Sequence, residues 1–255
     1  MDFEKIFSKA IKYPLNLQVF VLMFAVNAAL SYSGFYIAAL TNPSEITSLI
    51  TVGVNLIPVA IISILITTFF MGLYIDNAAK YFSGGRKSLA ASLPAAKKRF
   101  LRLLGTYLLV TAILLLAAMP LIAVVGLGSA GLSASGNILT VLAGMAIGFA
   151  VLFVAVFFVS LVPYIAVLGN AGVFGSIKAS ASVVRRNKLS MFIFWILYAI
   201  IAIGIGLLSL PVTFTYVIGS SADPIVLILE SLISAYTTLF SYSAFANFWL
   251  SAKKK

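Results

Sequence analysis

A chain of 255 residues that is 62% hydrophobic and only 9% charged cannot fold in water without exposing large apolar patches, because soluble domains carry about a quarter charged residues. Six membrane spans of roughly 20 residues each, with short connections, consume nearly all of it. The absence of Cys and His excludes thiol nucleophiles, zinc sites built on those residues and imidazole acid–base catalysis, and the formal charge of +11 has to be explained by where it lies.

Residues 1–14, MDFEKIFSKAIKYP, read as a short amphipathic helix. Phe3, Ile6, Phe7, Ala10 and Ile11 recur at helical spacing, with Lys5, Lys9 and Lys12 between them. A signal peptide is not expected, since Asp2 and Glu4 spoil a positive leader and the apolar run that follows is too long. Span 1 is expected at about Leu15–Leu40, closed by the turn Thr41-Asn42-Pro43. Span 2 follows at about Ile46–Ile75, with Pro58 inside it. The longest polar connection, Asp76–Lys98, leads to span 3 at about Phe100–Val125. An uncharged Gly/Ser-rich connection, Gly126–Asn137, precedes span 4 at about Ile138–Leu168. A second basic connection, Gly169–Lys188, leads to span 5 at about Leu189–Ile218. A tight Gly219–Pro224 turn then opens span 6 at about Ile225–Ala252.

The charge distribution orients these spans. With six of them, both termini and the connections at 76–98 and 169–188 share one side, and that side, extended to Arg102, holds all 17 basic residues. The loops opposite hold none. Lys and Arg near span ends mark the cytoplasmic side, so both termini are expected there, in a cell membrane, with no nucleic-acid role for the charge.

The two basic connections also match each other. SLAASLPAAKKRFL, Ser88–Leu101, aligns without a gap to SIKASASVVRRNKL, Ser176–Leu189. Ser88/Ser176, Ala91/Ala179, Ser92/Ser180 and Leu101/Leu189 are identical, and Lys97-Lys98 meets Arg185-Arg186. In the second copy Phe174, Ile177, Ala181 and Val184 are expected to form one helix face, with Lys178, Arg185 and Arg186 elsewhere, snorkelling to headgroups. Pro94 is expected to interrupt the first copy and to sit in the first turn of a new helix. Ser8–Lys12 before span 1 is a weaker third match. The expected architecture is therefore an all-α integral membrane domain over residues 1–255. It has six spans, basic interfacial helices before spans 1, 3 and 5, and a helical-hairpin repeat.

The plan of six spans with S-x-x-A-S-x-x-x-x-R-R-N before span 5 and a basic ramp before span 3 resembles a family of membrane domains. That family includes the one fused to some glycerophosphodiester phosphodiesterases and several archaeal and bacterial six-helix families of unknown function. In the fused proteins the resemblance implies phosphodiester chemistry in a separate soluble barrel that uses acids and histidines. Such a domain is not expected within these 255 residues, which have no His, so no catalytic residue carries over.

Candidate sites are few. Polar residues in spans are costly and mark packing seams or pathways. Glu230, Ser234, Thr237 and Ser241 lie along one face of span 6, and Asn27 and Asn55 lie within spans 1 and 2. Together they could line a polar path. The competing account is interhelical hydrogen bonding. Asp76 and Lys80 are spaced for an i, i+4 ion pair, and Gly144-x-x-x-Gly148 permits close helix approach. The six acids are scattered, which argues against metal-assisted or aspartyl chemistry. The expected role is non-enzymatic and without a cofactor. It is a membrane scaffold or lipid-interacting protein whose Lys97, Lys98, Arg99, Lys178, Arg185 and Arg186 engage anionic headgroups or a membrane or cytoplasmic partner. A small transporter or channel is the alternative.

Overall fold

The structure, a computed structural model, describes residues 1–39, 46–84, 88–129, 138–207 and 224–253. Among these it is helical, without strands: α1 (Phe3–Lys12), α2 (Leu17–Ala39), α3 (Ile46–Phe82), α4 (Leu93–Ser129), α5 (Ile138–Val159), α6 (Val162–Leu168), α7 (Val173–Arg186), α8 (Lys188–Leu207) and α9 (Pro224–Lys253). Short 3-10 turns, Tyr13–Leu15 and Leu89–Ser92, precede α2 and α4. Among the described residues four stretches are long and apolar enough to cross a membrane: Ile57–Phe82, Leu89–Val124, Leu142–Leu168 and Lys188–Leu207. The pair Phe3–Leu15 and Leu17–Ala29 meets the same criterion when taken as one span, but bends by 71° between its halves. The expected turns at 41–45 and 219–223, residues 130–137 of the uncharged loop, residues 208–218 with Pro211, and Arg86, Lys87, Lys254 and Lys255 lie outside the described residues.

Local chemistry explains the helix ends. Asp2 caps α1 by accepting from the Lys5 backbone N–H at 3.0 Å. Pro14 then falls in the 3-10 turn that separates α1 from α2. The helix α3 continues seven residues beyond the expected end at Ile75, because Asp76, Asn77 and Lys80 are paired there. It stops at Ser83-Gly84, where Gly84 takes φ 77°, a conformation that favours glycine. Leu93 opens α4 with Pro94 in its first turn, as expected. It starts seven residues earlier than the span boundary read from hydropathy. The stretch expected as span 4 is broken at Ser160-Leu161, with Pro163 at the start of α6. Pro58 and Pro120 lie inside helices that continue through them.

The described chain packs as two compact units, Met1–Phe100 with Lys188–Lys255, and Leu101–Asn187. In the first, α9 is the central element and packs on α1, α2, α3 and α8. Phe194 of α8 is fully buried and its ring meets Phe248 at 4.6 Å, Phe245 at 4.9 Å and Phe7 of α1 at 5.4 Å. Tyr198 stacks on Phe240 at 5.8 Å. Such contact is favoured by close packing, and aromatic pairs add roughly 0.5–1.5 kcal/mol each beyond area alone.

In the second unit, α7 packs on α5 and α6. The glycines of the Gly144-x-x-x-Gly148 motif face α4. A Cβ on Gly144 would lie 2.8 Å from the Val124 side chain, and one on Gly148 would lie 3.0 Å from the Leu121 Cα. The motif therefore serves close packing within the chain. The Arg102 guanidinium reaches the Gly169 carbonyl at 3.4 Å, placing a cation at the C-terminal end of α6.

Candidate functional site

The basic sequence segments fold into three different structures. The first, α1, buries Ile6, Phe7 and Ala10 against the first unit. Ile11, expected on the same face, is 39% exposed. Polar side chains fix the helix from below. Asn247 donates to the Ile6 carbonyl at 3.3 Å, Ser243 to the Ala10 carbonyl at 3.1 Å, and Tyr236 to the Ile11 carbonyl at 3.2 Å. The last two bonds satisfy carbonyls that the end of a helix otherwise leaves orphaned. On the other side Lys9 donates to the Phe82 carbonyl at 3.3 Å. Between these anchors Tyr13 is fully buried and donates to Asn77 Oδ1 at 3.0 Å, with the Tyr74 carbonyl at 3.3 Å. Burial pushes the Tyr13 hydroxyl well above the usual phenol range, and the neighbouring Tyr74 and Asp76 push the same way.

The second basic segment, at the start of α4, is divided in its roles. Asp76 is buried, with its carboxylate 2.6 Å from the Lys80 ammonium and 3.8 Å from the Arg99 guanidinium. Lys80 also donates to the Ala91 carbonyl at 2.7 Å and to Ser92 Oγ at 3.3 Å. One lysine thus ties α3 to the 3-10 turn ahead of α4. Arg99 is half-buried and turned to Asp76. Lys97 and Lys98 are exposed.

The third segment, α7, shows a different inward face from the expected one. Ser176, Ser180 and Val184 are buried, and Phe174 is 72% exposed. The reason is size: serines let the helix approach closely while their hydroxyls stay paired. Ser180 donates to the Phe158 carbonyl at 2.6 Å, and Ser176 to the Gly172 carbonyl at 2.9 Å. That orientation sends Lys178, Arg185 and Arg186 outward, all exposed, around a shallow surface concavity of about 530 Å³ that Ala181 and Ser182 complete.

The polar residues of the spans are only partly brought together. Asn27 donates to Ser234 Oγ at 3.2 Å. Thr237 donates to the Ile233 carbonyl at 2.8 Å, and Ser241 lies 2.7 Å from both the Thr237 carbonyl and the Tyr198 hydroxyl. Glu230 is exposed and has no hydrogen-bond or ion-pair partner among the described residues. The Asn55 side chain lies outside the described residues.

Sequence reasoning missed the docking of α1, and with it Tyr13, Asn77, Ser243 and Asn247. A usable signal existed in Ser243 and Asn247, an i, i+4 pair of small polar residues in an otherwise apolar helix, which marks a helix contact. The aromatic cluster around Phe194 left no comparable trace, because its members are spread over α1, α8 and α9.

No curated protein and no solved structure matches the chain. A family model described as a domain of unknown function, DUF7847, matches residues 15–252. That match runs from the turn after α1 to the last turn of α9, so the chain belongs to the DUF7847 family.

Proposed function

We propose that the protein is a multi-pass cell-membrane protein of six spans with both termini cytoplasmic. It is non-enzymatic, and acts as a membrane scaffold whose basic segments engage anionic lipid headgroups. The observation that carries this is the outward basic surface of α7, where Lys178, Arg185 and Arg186 are exposed without a protein partner among the described residues. Unpaired cations beside long apolar helices are best satisfied by lipid phosphates. The 71° bend after α1 supports the same arrangement, since a helix so inclined to a span lies near the membrane plane. A basic segment ahead of each of spans 1, 3 and 5 supports a repeated hairpin in sequence, although only α1 and α7 form separate short helices there.

A transport path along span 6 is less well supported. The Thr237 hydroxyl is spent on the Ile233 carbonyl, Asn27 donates to Ser234, and Ser241 is held between Thr237 and Tyr198. The headgroup role is tested by changing Lys97, Lys98, Arg185 and Arg186 together to Gln and measuring the lipid that co-purifies with the protein. Enrichment of anionic over neutral lipid should disappear; unchanged enrichment removes the headgroup role.

A further inference from the structure

Resting on that reading but more specific than it, we infer that α7 carries a discrete site for the phosphomonoester headgroup of a membrane lipid. The site is formed by Lys178, Ala181, Ser182, Arg185 and Arg186. These residues are spaced i, i+3, i+4, i+7 and i+8, so they share one side of the helix. Lys178 and Arg185 rise from positions roughly 10 Å apart along the axis, at 1.5 Å per residue. Between them Ala181 contributes only a methyl group, which leaves the concavity of about 530 Å³ open. Ser182 flanks the gap with a hydroxyl. Neither it nor the three cations has a hydrogen-bond or ion-pair partner among the described residues.

Three positive charges with no carboxylate in the lining suit a dianionic group better than a singly charged diester. Two guanidinium groups can each hold phosphate oxygens in pairs. Lipid rather than free phosphate is the source because of Phe174. It lies on the same stripe, one turn before Lys178, and is 72% exposed. An aromatic ring beside cations anchors in the headgroup region of a bilayer, and a water-borne phosphate has no use for it. The start of α4 does not build an equivalent site, since Arg99 is turned to Asp76.

The test uses the full-length protein in detergent and native mass spectrometry, with short-chain phosphatidate, phosphatidylglycerol and phosphatidylcholine as probes. Wild type should retain phosphatidate in preference to phosphatidylglycerol. Ala181→Leu fills the concavity without altering charge and should reduce that preference about tenfold, the size of one lost charge-assisted contact. Ser182→Val, a smaller change, should weaken phosphatidate alone. If both variants match wild type while Arg185→Gln/Arg186→Gln lowers all anionic lipid, the discrete site is wrong and the general basic surface stands. If the double arginine variant also binds as wild type, both fall. Displacement of phosphatidate by equimolar inorganic phosphate would overturn the lipid assignment.

Discussion

Asp76→Asn is the sharpest test of how the first unit holds its basic end. The carboxylate is 10% exposed and the Lys80 side chain 36%, so the pair is neither fully buried nor free in solvent. Removing one partner of a buried pair costs roughly 3–5 kcal/mol and an exposed pair is worth about 0–1. Lys80 would keep Ala91 and Ser92 as acceptors, whereas Arg99 would lose its contact with the Asp76 carboxylate. The expected cost therefore lies in between, at about 2 kcal/mol. That should lower the unfolding midpoint in detergent by roughly 4–8 °C. The loss should persist at high salt, because a partly buried pair is poorly screened. Lys80→Met alone should also destabilise. The double variant should be less damaged than the sum of the singles by about 1 kcal/mol, the coupling typical of contacting residues. A midpoint for Asp76→Asn within a degree of wild type, or strict additivity in the cycle, would show that the geometry contributes nothing to stability.

Three further outcomes are expected. Gly148→Ala should destabilise by about 1–3 kcal/mol through crowding of the Leu121 backbone, whereas Gly204→Ala, whose Cβ would meet nothing within 4 Å, should be neutral or stabilising by up to about 1 kcal/mol; unfolding midpoints of equal sign would refute the packing. Tyr13 should stay neutral in the fold while the unfolded chain ionises it near pH 10, so its contribution is intact below that value and declines as pH rises further. An ultraviolet titration should show one fewer late-titrating phenol in Tyr13→Phe, and equal curves would contradict the burial. Because the chain has no Cys, single cysteines at Ser182 and Ser133 should label from opposite sides of sealed vesicles, and labelling from one side would dismiss the six-span topology.

Long-range packing was hidden from the sequence, and local grammar was not. The amphipathic pattern of α1, the Pro94 start of α4 and the Asp76–Lys80 spacing all depend on residues within a turn or two of each other, and each is visible in the structure. The inward face of α7 was misassigned because hydropathy ranks Phe174 above Ser176 and Ser180. In a membrane protein that ranking fails: a lipid-facing or interfacial surface welcomes Phe, while a tight helix contact needs small side chains whose hydroxyls can bond a carbonyl. The same physics turns Asn247 and Ser243 into fasteners for α1, a role that depends on a helix more than 230 residues away in sequence.

The two matching basic segments diverge for a traceable reason. Both keep the second serine buried, Ser92 and Ser180, and both carry a basic pair in register. Ahead of the first, α3 supplies Asp76 and Lys80, which take up Arg99 and Ser92 respectively. Pro94 falls in the first turn of α4, so only the 3-10 turn Leu89–Ser92 stands ahead of it. What remains outward there is Lys97 and Lys98, two flexible point charges suited to fixing orientation. The second segment holds no proline and meets no acid among the described residues, so α7 runs for 14 residues and its arginines point outward around a gap that Ala181 leaves open. Arginine supplies planar paired donors where lysine supplies a point charge. On the proposed reading the first segment serves as a topological anchor and the second is preorganised for phosphate, and one carboxylate and one proline account for the difference.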